Sequence, residues 1–188
     1  MALILGLFFS SFLIPRPLSE SERNELGLVL FDSPRPLYDF EMQNQNGEPV
    51  NLESLKGSWN LLFFAFTSCP DICPTTLSLI SKAYSELEMP VRIIMVTVDP
   101  DRDSLEILKN YLGSFNEDFI GYRGEFDETV KLAQQLNVAF GKIPGSQPGT
   151  YTMDHNASLA LVDSGGNYVG FIKSPQSSKN IQTILNSF

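Results

Sequence analysis

Short apolar runs alternate with amphipathic segments along most of the chain. Residues 60–66 (NLLFFAF) and 91–99 (VRIIMVTVD) are almost continuously apolar, which is typical of strands buried on both faces. Each run is followed by apolar residues at helical spacing, first in a segment that starts near Pro74 and then in residues 100–112. The order strand, helix, strand, helix predicts an α/β sheet with right-handed crossovers.

Turn signals divide the remainder of the folded region into further elements. An Asn-Gly pair predicts an N-terminal β-hairpin across residues 37–58, and a Gly-Gly pair predicts a second hairpin across residues 155–172. The other predicted elements are a short strand at 118–124, a helix at 126–137 and a closing helix at 176–188.

The N-terminal residues differ from the domain that follows. Residues 2–14 are apolar, a run shorter than the roughly 20 residues that span a bilayer. Three interpretations are open: a membrane anchor whose first turn lies upstream, a short signal sequence, or a helix packed on the domain. We expect the anchor for residues 1–14, because nothing near it is amphipathic enough to suggest packing. Prolines and charges in residues 15–36 predict a linker, and residues 37–188 predict one folded domain.

Composition limits the partners and the cysteine chemistry. The formal net charge is −9 at pH 7, and an acidic surface repels phosphate backbones, so nucleic acid is not an expected partner. The chain has 2 cysteines, too few for a disulfide scaffold. They can form one bridge, bind one metal ion or do neither.

The two cysteines lie where parallel sheets place their chemistry. Cys69 comes just after the predicted strand 60–66, and functional groups gather outside the carboxyl ends of such strands. Pro74 suits the first turn of a helix, so Cys73 is expected near the N-cap, where the helix dipole lowers the pKa of a thiol. This prediction puts both thiols on an exposed rim. Thiolates placed in this way close a disulfide or bind a soft ion such as Cu(I) or Zn(II).

A metal bound by two sulfurs needs a third ligand. His155 is the only histidine of the chain and the only imidazole available. The alternative is that Cys69 and Cys73 are small buried apolar residues and that His155 is an ordinary surface residue. The flanking prolines, the strand–loop–helix setting and the single histidine favour the metal site.

Three segments, two of which contain these residues, resemble a known protein family. The segments TSCPDICPTTL, VTVDPDRDSLEILKNYL and YTMDHNASLALVDSGG resemble the Sco family of copper-binding, thioredoxin-like proteins that assist cytochrome c oxidase assembly. The resemblance runs from about Tyr38 to the C-terminus. It implies a thioredoxin-like α/β fold, a central mixed sheet flanked by helices, with an N-terminal β-hairpin extension. It also implies that Cys69, Cys73 and His155 bind one copper ion per chain, as Cu(I) or Cu(II).

The resemblance carries two functional hypotheses. The first is a metallochaperone, not an enzyme, that delivers copper to the dinuclear copper centre of cytochrome c oxidase. The alternative is a thiol–disulfide oxidoreductase in which Cys69 and Cys73 form a redox-active pair that reduces the cysteines of that centre. Thioredoxin-like reductases use two residues between their cysteines and need no histidine, whereas this chain has three between them and His155 downstream. The sequence therefore favours the first hypothesis.

The same resemblance suggests partners and a compartment. The expected partner is the oxidase subunit that carries the copper centre, with another copper carrier or a thiol reductant as a further candidate. The family is usually tethered by an N-terminal transmembrane helix. The expected location is therefore membrane-anchored, with the domain in the periplasm or an equivalent extracytoplasmic space.

Four residues near the motifs are given structural roles. Asp71, between the cysteines, is expected to satisfy N–H groups of its loop, although it could also steer a basic partner. Asp154 is expected on the opposite face of an extended segment from His155, and Met153 on the same face. Met153 is a soft potential ligand but a core residue is the favoured interpretation. Asp103 is expected to form a capping box with Glu106 at a helix start.

Overall fold

The structure is a computed structural model that describes residues 16–147 and 149–188. The predicted membrane segment, residues 1–14, lies outside the described residues. Among the helices of the described part, none combines the length and the apolar character that crossing a membrane requires.

The described residues form ten strands and five α-helices. The strands are β1 (Leu28–Pro36), β2 (Met42–Asn44), β3 (Pro49–Val50), β4 (Trp59–Ala65), β5 (Val91–Thr97), β6 (Ile120–Arg123), β7 (Phe140–Pro144), β8 (Tyr151–His155), β9 (Leu159–Val162) and β10 (Asn167–Ile172). The helices are α1 (Glu20–Leu26), α2 (Ile72–Tyr84), α3 (Leu105–Gly113), α4 (Phe126–Gln135) and α5 (Ser178–Leu185), with a 3-10 helix at Leu52–Leu55.

Eight strands form one mixed sheet in the order β1-β10-β9-β4-β5-β6-β2-β3. β4, β5 and β6 are parallel and lie in the middle, while the other pairs are antiparallel. Nearly every residue of β4 and β5 is buried, which explains why both strands are apolar at successive positions. The predicted fold class, a central mixed sheet flanked by helices, is confirmed.

The helices cover the sheet with their apolar stripes. α2 buries Thr76, Leu77, Ile80 and Ala83 and packs beside α5, while α3 packs against β6. The N-terminal hairpin is also present: Met42 pairs with Val50, and β2 adds to the edge of β6. The loops that follow β4 and β5 leave the sheet at the same edge, and the loop after β4 contains Cys69.

A linker is expected over residues 15–36, but the structure shows a helix at Glu20–Leu26 and a strand at Leu28–Pro36 within that range. Ser19 and Glu22 form a capping box at the start of α1, and Gly27 ends that helix in the left-handed region with φ 76°. β1 then pairs with β10 at the edge of the sheet. Pro34 and Pro36 are compatible with this strand because an edge strand has a side without ladder hydrogen bonds.

The second difference is a small hairpin that precedes β9. β7 and β8 pair with each other in a sheet of their own, with Phe140 opposite His155. His155 therefore ends β8, whereas the sequence placed it at the start of the β9–β10 hairpin. The later hairpin itself is present as predicted, around Gly165 and Gly166.

Candidate metal centre

Cys69, Cys73 and His155 come together although 82 positions separate the histidine from Cys73. Their two sulfurs and a ring nitrogen all lie within 4.8 Å of one another. Cys73 Sγ lies 3.4 Å from His155 Nε2. The three residues that the sequence singled out thus form one cluster of potential metal ligands.

The cysteine loop is shaped by the passage from β4 to α2. The N–H of Cys69 donates to the carbonyl of Phe66 at 3.2 Å, which turns the chain after the strand. Cys73 is the second residue of α2, and its N–H donates to Cys69 Sγ at 3.4 Å. Pro74 follows in the first turn, where its missing N–H leaves no hydrogen bond unmade. The first turn of α2 therefore fixes the position of Cys73, and the N–H group of Cys73 donates to the sulfur of Cys69.

The structure corrects the expected exposure and acidity of the thiols. Cys73 is only 1% exposed, and Cys69 is half-buried and packed against the core. Burial raises the pKa of the Cys73 thiol well above its ordinary value, and the neighbouring Cys69 adds to the rise. The pKa lowering expected from the helix dipole is thus outweighed by desolvation. Binding a metal at this site must release the Cys73 proton.

His155 presents one nitrogen to the cysteines. Its Nδ1 lies 3.2 Å from the carbonyl oxygen of Asn156, and its Nε2 faces Cys73. The ring of Phe66 meets the imidazole edge-on, with centroids 6.0 Å apart. Burial lowers the pKa of His155, which favours the neutral imidazole that metals require. The contact with Asn156 orients the ring so that Nε2 is free to bind.

Asp103 supports the cysteine loop, a role that the sequence analysis did not assign to it. Its carboxylate is fully buried and accepts hydrogen bonds from the Thr67 N–H at 3.1 Å and from the hydroxyls of Thr67 and Thr97, both at 2.5 Å. It ties the residue two positions before Cys69 to the end of β5. The capping box predicted with Glu106 is wrong, because Ser104 is the N-cap and its hydroxyl accepts from the N–H of Ile107.

The other candidates fall in different places. Asp71 is exposed at the N-cap of α2 and makes no side-chain capping hydrogen bond, so its expected role in satisfying loop N–H groups is wrong. Asp154 is exposed and lies opposite Gly141 on the outer face of β8. Met153 is buried among core residues, on the face that carries His155.

Comparison with known proteins is consistent with this geometry. A sequence profile described as SCO1/SenC matches residues 33–188. A protein named "Putative copper-binding protein" from Stutzerimonas stutzeri is 35% identical over 167 residues, covering 86% of this chain and 81% of its own length. The solved structure of Bradyrhizobium japonicum ScoI with copper bound is 35% identical, with a TM-score of 0.72, and the match covers 80% of this chain and 97% of that one.

A further solved structure adds a functional description. BsSco is described as a member of the Sco family of cytochrome c oxidase assembly proteins, in a structure that identifies a disulfide switch. It is 26% identical to this chain, with a TM-score of 0.66, and the match covers 84% of this chain and 96% of that one.

Proposed function

The chain belongs to the SCO1/SenC family, and from that membership we propose that it is a copper metallochaperone for the assembly of cytochrome c oxidase. Its ligands are Cys69, Cys73 and His155. The observation that carries the proposal is the convergence of these three side chains, whose ligand atoms lie within 4.8 Å of one another. Copper bound to the similar Bradyrhizobium japonicum protein supports the identity of the metal.

The donor set suits copper in both oxidation states. Two thiolates and an imidazole satisfy Cu(I), which accepts soft ligands and low coordination numbers. Cu(II) is compatible with the same three ligands and an added oxygen in a squarer arrangement. One copper ion per chain is therefore the expected stoichiometry.

Delivery requires that an acceptor can reach the bound ion. Cys69 and His155 are half-buried, whereas Cys73 is enclosed. Incoming ligands from the oxidase subunit that carries the dinuclear copper centre would thus replace Cys69 and His155 first. The copper ion would dissociate from Cys73 last. The Cys73 thiolate would then regain its proton, because burial favours the neutral thiol.

A second function is favoured by the state of the cysteines. Both are free thiols, and Cys69 Sγ already accepts from the N–H of Cys73. The pair could pass two electrons and two protons to a disulfide of the copper centre and become a disulfide itself. This is the oxidoreductase alternative, and the disulfide switch described for BsSco supports it as well.

The metal assignment is tested by removing one thiol at a time. Reduced wild-type protein should bind one copper ion per chain, and Cys69→Ala or Cys73→Ala should abolish tight binding in a competition assay with a Cu(I) chelator. Ser68→Ala is the matched control, because Ser68 is exposed and adjacent to the motif. Unchanged affinity in either cysteine variant would refute the site.

His155→Ala separates the two functions. Loss of a direct ligand should weaken copper binding by more than the roughly 10–100-fold typical of outer-shell changes, and oxidase activity in cells should fall with it. Disulfide exchange at Cys69 and Cys73 should persist, because it needs only thiolates and access. Full oxidase activity in a strain whose variant no longer binds copper would favour the oxidoreductase.

We also propose that residues 1–14 tether the domain to a membrane, with the domain on the extracytoplasmic side. The apolar run from Ala2 to Ile14 supports this proposal. The full gene product, including any upstream codons, should sediment with membranes, and a variant that begins at Leu18 should stay in the soluble fraction. Full-length protein in the cytosolic fraction would contradict both the anchor and the compartment.

A further inference from the structure

The hairpin that carries His155 is separate from the main sheet. Within the described residues, β7 and β8 pair only with each other. An isolated two-stranded hairpin is marginally stable in water. The position of His155 relative to the cysteines therefore depends on whatever fastens this hairpin to the rest of the domain.

One face of β8 makes the attachment. Tyr151, Met153 and His155 alternate with the exposed residues Thr152 and Asp154. His155 contacts Cys73 at one end of the strand, and Met153 is buried in the middle. Tyr151 lies at the other end, about 13 Å along an extended chain from His155.

Tyr151 is held by two residues of the loop between β5 and α3. Its hydroxyl donates to Asp99 Oδ1 at 2.7 Å. Arg102 pairs with Asp99 Oδ2, donates to the Tyr151 carbonyl at 3.2 Å and lies over the Tyr151 ring, 4.0 Å from its centroid. The Asp99 side chain is fully buried, and these two partners supply hydrogen bonds to its two carboxylate oxygens.

The partner strand of the hairpin reaches the same loop. Lys142 of β7 forms an ion pair with Asp101 at 2.6 Å and lies 4.8 Å from the centroid of the Tyr151 ring. Both strands of the hairpin thus contact residues 99–102. Asp103, the next residue, holds the cysteine loop through Thr67.

We propose that Tyr151 and Arg102, anchored on Asp99, are positioning residues that set the location of His155 relative to Cys69 and Cys73. Residues 99–103 then hold both halves of the site: Asp103 the loop with the cysteines, and Asp99 with Arg102 the hairpin with the histidine. The consequence for copper rests on the function proposed above, whereas the consequence for the hairpin does not depend on any metal.

Tyr151→Phe is the sharpest test, since it removes a single hydroxyl and leaves the ring under Arg102. In the metal-free protein, amide hydrogen exchange across residues 140–155 should speed up about tenfold, because a hydrogen bond to a buried carboxylate is lost. Exchange in β4 and β5 should not change. The NMR signals of the single imidazole should shift as well, because His155 would leave the edge of the Phe66 ring.

Copper affinity is the second measurement, made in a double-mutant cycle of Tyr151→Phe and His155→Ala. Tyr151→Phe should lower copper affinity about tenfold when His155 is present, and should have no effect in the His155→Ala background. Tyr38→Phe is the matched control, because it removes the same atom from a side chain that is 72% exposed. Arg102→Lys, which keeps the charge but loses the planar group over the ring, should act in the same direction as Tyr151→Phe.

The outcomes are distinguishable. Unchanged exchange in the hairpin would overturn the proposal, and so would an equal loss of copper affinity in both backgrounds, which indicates a general structural effect. Faster exchange in β4 and β5 to the same degree would also overturn it. If the chain bound no copper, the proposed function would fail, while hairpin exchange and the imidazole signals would still decide whether Tyr151 positions His155.

Discussion

Cys69 and Cys73 are four positions apart but have different surroundings. Cys73 is enclosed within the first turn of α2, and burial raises its pKa, whereas Cys69 lies in the loop and is only half-buried. A reagent from solvent therefore meets Cys69 first. The two thiols are inequivalent before any metal or partner binds.

Alkylation of the reduced, metal-free protein should show this inequivalence. Iodoacetamide at neutral pH should modify Cys69 first, and the Cys69→Ala variant should react at least about tenfold more slowly than Cys73→Ala, because only thiolates with access react quickly. Peptide mass mapping during the time course measures both rates. The same reaction in denaturant is the control, where the two rates should converge. Equal rates in the folded protein would contradict the buried position of Cys73.

Asp103 is expected to matter for stability because its buried carboxylate accepts hydrogen bonds from three donors. In Asp103→Asn one oxygen becomes an NH₂ group, which cannot accept from a threonine. The free energy of unfolding should fall by about 2 kcal/mol, as expected when a buried hydrogen-bond partner is lost.

Urea unfolding of Asp103→Asn measures this difference. Asp101→Asn is the control, because Asp101 is exposed and its pairing with Lys142 lies at the surface. A midpoint for Asp103→Asn that matches the wild type would show that the carboxylate does not stabilise the cysteine loop.

The pairing of β1 with β10 depends on a close approach at Gly170. A Cβ atom at this position would lie 2.1 Å from the carbonyl oxygen of Val29, so the two strands cannot keep their spacing around any larger residue. Gly170→Ala should therefore detach β1, and amide exchange across residues 28–36 should rise more than in β4 or β5. Gly113→Ala is the control, because nothing lies within 4 Å of its Cβ position. Protection of β1 that survives Gly170→Ala would contradict this account.

β4, β5 and the helices that follow them could be predicted because their patterns are local. β1 could not, since Pro34 and Pro36 resemble linker residues and its partner Ile172 comes much later in the chain. β8 could not be predicted for the same reason. Its inward-facing residues contact Asp99 and Cys73, which are distant in sequence.

For the site as well, local sequence features could be predicted, whereas features that depend on tertiary contacts could not. The three proposed ligands were identifiable from residue type and spacing, because soft metals restrict the choice of side chain. The depth of Cys73 and the part played by Asp103 depend on how separate segments meet around them. A signal for Asp103 was present in hindsight: Thr67 and Thr97 both follow buried apolar runs, so their hydroxyls meet at one edge of the sheet.

The folded unit begins before residue 37. Leu28 in β1 is only 3% exposed, and burial of one leucine contributes about 1.5–3 kcal/mol. A variant that begins at Leu37 should thus unfold at a lower temperature than one that begins at Leu18, and its uncovered β10 should promote association. Thermal unfolding and size-exclusion chromatography compare the two. Equal melting temperatures and equal monomer fractions would show that residues 18–36 are dispensable.

The β1–β10 pair also has a consequence for the order of events during synthesis. Among the strands of the described residues β1 is made first, and its partner follows about 130 residues later. At roughly 5–20 residues per second the strand waits for about 6–26 s. Throughout that interval it is an unpaired strand of a nascent chain. Asp32, Pro34 and Arg35 follow its apolar first half. Charged residues and prolines in an edge strand discourage pairing with another chain. The prolines that make this segment resemble a linker thus protect it until its own partner arrives.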